Sequence, residues 1–195
     1  MNKKTFLVLV LTLFTSGICY ADSFRVATDL RELVQDAELI VMGKLDEVLD
    51  SYSFHGYQGN APLLNARDDS DVPVRISLPA TDYLIKVNKI LKPAKRKGLK
   101  SIVLRMVGQK VESVDKFNQE IAKQPGRVKK QLFFLNSNPD GTYGVSTVAS
   151  IMHFKQDADE EQLVYKVGKD TYTLSGVPGH AKKALAEILR LADIQ

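Results

Sequence analysis

The sequence predicts a mainly β domain, a small closed or nearly closed barrel of short antiparallel strands with short helices attached. Three observations carry this. Apolar residues recur with period two in successive short runs, each bounded by Gly, Pro, Asn or Asp clusters. Helical spacing is confined to short segments near Leu30, Val114 and Ala181. Gly43 stands inside the first strand, where a glycine marks the bulge or bend that closing a small barrel requires.

Taken in order, Asp29 is an N-cap with Glu32 as its capping-box partner, and Leu30, Leu33, Val34 and Ala37 form one face of a short helix. From Leu39 the period becomes two, putting Leu39, Val41, Leu45 and Leu49 on one face and Lys44, Asp46 and Asp50 on the other. Residues 51–80, rich in Gly, Asn, Asp and Pro, read as one long loop, and a loop of that size in a compact domain is usually functional or disordered. "TDYLIKVNKIL" alternates Tyr83, Ile85 and Val87 against Leu84, Lys86 and Asn88, and "SIVLRMVG" sets Ile102, Leu104 and Met106 on one face. Val114, Phe117 and Ile121 give a helix that the Gln124–Gly126 segment stops. "QLFFLNSNPDGTYGV" is a hairpin whose turn follows from Pro139 fixing φ and Gly141 accepting a positive one. "IMHFK" and "QLVYKVGKDTYTL" add a further hairpin. Ala181, Ala184, Leu185, Ile188 and Leu191 make a closing amphipathic helix.

Residues 1–21 have the build of a secretory signal: Lys3 and Lys4, an apolar run from Phe6 to Phe14, and small residues Cys19 and Ala21 ahead of a cut after Ala21. Removing them from 195 leaves 174 residues, expected as a single domain spanning 22–195. The only cysteine leaves with the signal, so no disulfide or thiol nucleophile is expected. Without Lys3 and Lys4 the 27 basic residues become 25 against 23 acidic ones, a net +2 that does not suggest bulk nucleic-acid or membrane binding. The expected location is periplasmic or secreted.

"DAELIVMGKL" (36–45), "TDYLIKVNKILKPAKRKGLKSIVLRMV" (81–107) and "KKQLFFLNSNPDGTYGV" (129–145) resemble successive strands of netrin-like OB-fold domains, a group that includes the tissue inhibitors of metalloproteinases and many exported bacterial proteins. The resemblance covers residues 30–149 and lies in strand order and spacing. It implies a five-stranded OB-like barrel, with the second hairpin and the C-terminal helix as additions. Those inhibitors chelate zinc through an N-terminal cysteine. Here the expected new terminus is Asp22-Ser23-Phe24, so that mechanism has no residue to carry it.

The chain shows no catalytic motif. His55, His153 and His180 fall on different elements without metal-ligand spacing, and no nucleophile elbow, phosphate loop or dinucleotide fingerprint occurs. The acidic clusters Asp68, Asp69, Asp71 and Asp157, Asp159, Glu160, Glu161 lack the glycine and distal glutamate of a calcium loop. No enzyme activity, metal or cofactor is therefore expected. Seven basic residues and no acidic one lie between Lys86 and Lys100. They read either as an edge turn that keeps the sheet soluble or, at Lys92, Lys95, Arg96 and Lys97, as a contact for an anionic polymer. Nucleic acid is not expected, since Tyr83 alone offers a stacking surface on those strands. In "SYSFHGYQGN", Tyr52, Phe54, His55 and Tyr57 are interleaved with small residues, a pattern that suits a contact surface and equally a cap folded onto the barrel. The expectation is an exported binding or protein-interaction module that recognises another envelope or secreted protein. The alternative is a steric inhibitor of a secreted or periplasmic protease.

Overall fold

The computed structural model describes residues 29–57, 75–93, 98–123, 128–157 and 159–193, with backbone alone at 54–57 and 75–76. The expected signal segment, the acidic cluster Asp68, Asp69 and Asp71, and Lys95, Arg96 and Lys97 lie outside the described residues.

Among the described residues the fold is mainly β: one eight-stranded sheet and three α-helices. Helix α1 spans Leu30–Asp36. Strand β1 follows at Leu39–Tyr57, β2 at Arg75–Lys92 and β3 at Ser101–Val107. Helix α2 is Val114–Lys123. Then come β4 at Gln131–Ser137, β5 at Tyr143–Gly144, β6 at Ile151–Asp157, β7 at Glu160–Val167 and β8 at Asp170–Tyr172. Helix α3, Ala181–Ala192, closes the chain. The pairings run β1-β2-β3-β5-β4 and return through β4 to β1, a ring of five strands. β3 meets β5 in parallel through Leu104 and Tyr143, and every other ring contact is antiparallel. β6, β7 and β8 extend the sheet outward from β4.

Two cores follow from alternation along the strands. Leu39, Val41, Leu45, Tyr83, Ile85, Ile102, Leu104, Phe133 and Leu135 fill the ring, and Phe117 of α2 packs with them. Ile40, Leu132 and Phe134 point the other way and are sealed by Leu30, Leu33 and Val34 of α1 and Ala184 and Ile188 of α3. β1 and β4 are thus buried on both faces where they pair, which is why "QLFFL" is an unbroken apolar run. Asp29 caps α1 as expected, its Oδ1 accepting from the Glu32 N–H at 2.8 Å.

Gly43 sits where the β1–β2 register shifts, between Met42 and Gly43, and where β1 is paired on both sides, to Val87 and to Gln131. A Cβ there would lie 2.7 Å from the Lys86 carbonyl oxygen and 2.9 Å from Ile85 Cγ2. Close approach of backbones, not an unusual φ, requires the glycine.

Two expectations are corrected. Leu49 is 44 % exposed and Val48, at 1 %, takes its inward place. Register shifts between Leu45 and Glu47 and between Val48 and Asp50 break the period-two count. The segment 51–80 is not a single loop either. β1 continues through Tyr57 and β2 begins at Arg75, paired continuously from Ser51 with Thr81 to Tyr57 with Arg75. Once a ladder exists, each further residue of suitable shape extends it at little cost, so Ser and Gly among the aromatics did not end the strand.

Candidate functional site

The long β1–β2 ribbon leaves the ring, and its root is where polar chemistry collects. β4 pairs with β1 only across Leu39–Gly43, and β3 pairs with β2 only across Ala80–Lys86. The edge that β1 loses beyond Gly43 is covered for a stretch. Asn118 of α2 accepts from the Val48 N–H and donates to the Val48 carbonyl, both at 2.8 Å, imitating a neighbouring strand. On the other strand the Gly108 N–H donates to the Pro79 carbonyl at 2.7 Å. Outward of these bonds, residues 53–57 and 75–78 have only each other as strand partners among the described residues. They form a two-stranded arm with two open edges.

The arm is braced by a charged cluster on the outer face of the ring. Arg105 of β3 grips Asp82 of β2 with two parallel bonds, Nε to Oδ1 and Nη2 to Oδ2, each 2.9 Å. Its Nη1 donates to Asp140 in the β4–β5 turn. Tyr52 completes the cluster: its hydroxyl donates to both Asp82 oxygens at 3.3 Å, and the guanidinium lies 5.7 Å from its ring centroid. The Arg105 and Asp82 side chains are 15 % and 13 % exposed, so the pair is largely withdrawn from water, and paired geometry offsets the desolvation. The hydrogen bonds to Asp82 hold the guanidinium firmly charged. The Thr142 hydroxyl, with Arg105 and the Thr142 N–H, brings Asp140 down to about 2. Desolvation, with the charge of Asp82, raises the Tyr52 phenol, so at neutral pH it is a hydrogen-bond donor and not a nucleophile.

Beneath this cluster lies a buried polar chain. Ser51 Oγ and Thr81 Oγ1 are 3.0 Å apart, Ser51 Oγ accepts from the Val111 N–H at 2.9 Å, and Thr81 Oγ1 donates to the Gln109 carbonyl at 3.0 Å. The Tyr83 hydroxyl donates to Gln109 Oε1 at 3.0 Å. Gln109 Nε2 is buried with no partner among the described residues. The root of the arm is thus fixed from outside by charge and from inside by neutral hydrogen bonds. Nothing in this arrangement pairs a nucleophile with a base. What it can do is hold an extended ribbon rigidly and present its backbone edges.

The four aromatic and histidine positions singled out from sequence fall on one strand rather than in a loop. Tyr52 pairs with Ala80, Phe54 with Leu78, His55 with Ser77 and Tyr57 with Arg75. Tyr52 belongs to the bracing cluster. The side chains of Phe54, His55 and Tyr57 lie outside the described residues. Lys92, expected as one cation of an anionic contact, is engaged elsewhere: its Nζ donates to the Val34 carbonyl at 2.9 Å and to Gln35 at 3.5 Å, tying β2 to the C-terminal turn of α1. Burial lowers its pKa, with Asp36 opposing. In the second acidic cluster Asp157 accepts from Gln162 and Glu160 pairs with His180 Nδ1 at 2.7 Å. Sequence reasoning missed Asp82, Arg105 and Asp140. A signal was present: Asp82 and Arg105 each interrupt an apolar strand, "TDYLI" and "VLRMV", at the outward-facing parity.

No protein-family model matches the chain, and no curated protein or solved structure matches it.

Proposed function

We propose that this chain is an exported binding module, without catalysis of its own, built on a five-stranded OB-like barrel and recognising another envelope or secreted protein through the β1–β2 arm. The barrel reading is supported by the ring order β1-β2-β3-β5-β4, its parallel β3–β5 contact and the helix between β3 and β4. The functional reading rests on one observation: the arm extends past every other strand among the described residues, yet its root is held by Arg105, Asp82, Tyr52 and Asp140. A two-stranded ribbon alone is marginal in water. Held in place with open edges, it offers main-chain N–H and C=O groups to an added strand, a recurring mode of peptide recognition. Aromatic residues at 54 and 57 supply side chains of the kind that dominate interface energies, while Tyr52 holds the root.

The test removes the arm and keeps its root. Replacing residues 54–78 with an Asn-Gly turn joins Ser53 to Pro79, a facing pair in the ladder, and leaves the bracing cluster and the Gly108–Pro79 bond whole. Wild-type and shortened proteins are then used as bait against the envelope fraction of the producing cell. The expected outcome is an unchanged melting transition and loss of the proteins captured by the wild type. Capture of the same proteins by the shortened form would remove the arm from the interface. A collapse in stability would make the ribbon a structural cap. If the captured protein is a protease whose activity falls on binding, the steric-inhibitor reading takes precedence.

A further inference from the structure

The hairpin added outside the ring carries a second polar site, separate from the arm. Gln131 of β4 pairs with His153 of β6, and His153 with Val164 of β7, so these three positions share one face of the sheet. Lys166, two residues beyond Val164, continues that face, and Lys129 lies two residues ahead of Gln131. Gln131 Nε2 lies 3.1 Å from His153 Nδ1. A neutral imidazole that accepts at Nδ1 carries its proton on Nε2. That N–H has no protein partner among the described residues.

The charge balance of this face is one-sided. Lys166 is half-buried, yet no carboxylate pairs with it or with Lys129 among the described residues. Desolvation and the neighbouring Lys129 lower Lys166, and burial with Lys166 lowers His153. Lys155, next on the same face of β6, adds a third cation. Asp157 and Glu160 close the far end of the hairpin, already engaged by Gln162 and His180. Glu160 is six strand residues from Lys166, roughly 20 Å along an extended chain. The sheet therefore gathers donors and withholds acceptors.

We propose that Lys129, Lys166 and the Nε2–H of His153 bind a small oxyanion, the phosphate or carboxylate group of a ligand. An anion at this position supplies the counter-charge that the fold omits and an acceptor for the imidazole N–H. The plain alternative is a lysine stem lying on apolar surface with its ammonium in water, in which case added salt acts only by screening.

The experiment is an NMR titration of isotope-labelled, full-length mature protein, with sodium phosphate and sodium acetate in separate arms at ionic strength held constant by sodium chloride. The resonances followed are the His153 imidazole and the Lys166 side chain. The expected result is a saturable shift in at least one arm, with the His153 pKa rising by about one unit on saturation. Affinity should fall about tenfold in Lys129→Met and in Lys166→Met. It should hold in Lys110→Met, a change on an exposed residue beside Val111, which bonds Ser51 eight strand residues along β1 from the Gly43–Gln131 pair. A response to phosphate alone assigns a tetrahedral anion, and one to acetate alone a planar carboxylate. Shifts that sodium chloride alone reproduces, or that survive both substitutions, would overturn the proposal. Lys129 is exposed, so its replacement reads binding without risk to the fold.

Discussion

At the scale of single residues, Gln109 is the most informative side chain in the interior. Its Oε1 is the acceptor for the Tyr83 hydroxyl, and its Nε2 is left without a partner. Gln109→Leu removes the orphan donor together with one hydrogen-bond acceptor of the Tyr83 hydroxyl, whose pKa burial raises. Losing one interior hydrogen bond costs roughly 0.5–1.5 kcal/mol, so urea denaturation of Gln109→Leu should show a loss of that order. Adding Tyr83→Phe to it should recover part of the loss, because both polar ends are then gone. A double variant whose loss equals the sum of the two singles would mean the pair is not coupled through this bond. His153 makes a second claim at this scale. Burial first, then Lys166, pushes its imidazole from 6.5 to about 4. As pH falls through that window the unfolded chain binds a proton that the folded chain refuses, so stability is lost, on the order of a few kcal/mol in total. In phosphate-free buffer the melting temperature should fall between pH 6.5 and 4, and His153→Gln should flatten that slope. A slope unchanged by the substitution would assign the acid sensitivity to other groups.

At the scale of elements, the strands that obey a single rule were legible and the ones that break it were not. Tyr83, Ile85, Ile102, Leu104 and Met106 alternate without interruption and are all buried as their period requires. The three helices follow their apolar stripes, with α1 starting at its Asp29 cap and α2 and α3 burying Phe117 and Ile188. β1 departs from the sequence expectation past Leu45 because the irregularity there carries no glycine to mark it: the register shift between Leu45 and Glu47 moves the parity by one residue, turning Val48 in and Leu49 out. The arm was hidden for a different reason. Its pairing is non-local, residue 57 with residue 75, and Ser, Gly and Pro within it mimic loop chemistry. Arg105 and Asp82 were visible as charged interruptions, but only the register brings Asp140 to the same guanidinium. Gly43 was legible as a special position, and its physical cause is now specific. With 2.7 Å between a built Cβ and the Lys86 carbonyl oxygen, the backbone itself must move. Gly43→Ala should destabilise by about 1–3 kcal/mol and Gly43→Val by more, as forced overpacking does. Chemical denaturation checks this, and an alanine variant of wild-type stability would mean that β1 shifts freely against β2 here.

At the scale of the whole molecule, the ring and the elements outside it share one buried layer, although β6 to α3 follow the ring in sequence. Ile40, Leu132 and Phe134 turn their backs on the ring and are at most 1 % exposed, because α1, α3 and the β6–β7 hairpin lie over them. The start of the described chain is tied there to the segment ahead of α3: the Leu30 N–H donates to the Ser175 carbonyl at 2.9 Å, and Asp29 bridges to Ser175 in parallel. Lys92 ties the same layer to β2 through the carbonyls of Val34 and Gln35. Ending the chain after Ser150 would remove β6 to α3 and expose the outward side chains Ile40, Leu132 and Phe134 together with Leu30, Leu33 and Val34 of α1. Each such side chain is worth roughly 1.5–3 kcal/mol when fully buried, so full exposure of the six would cost about 9–18 kcal/mol, as much as the 5–15 kcal/mol that separates a folded domain from its unfolded chain. The truncated ring should therefore fail to reach a packed state, with collapsed amide dispersion by NMR and no sigmoidal unfolding in urea. A truncated protein that unfolded cooperatively would show that the five-stranded ring is a domain in its own right and the outer hairpin an accessory. The arm, by contrast, should be dispensable for folding, because every bond that fixes its root lies inward of Ser53 and Leu78. The molecule thus puts its stability into the layer behind the ring and leaves the ribbon in front of it available for contact.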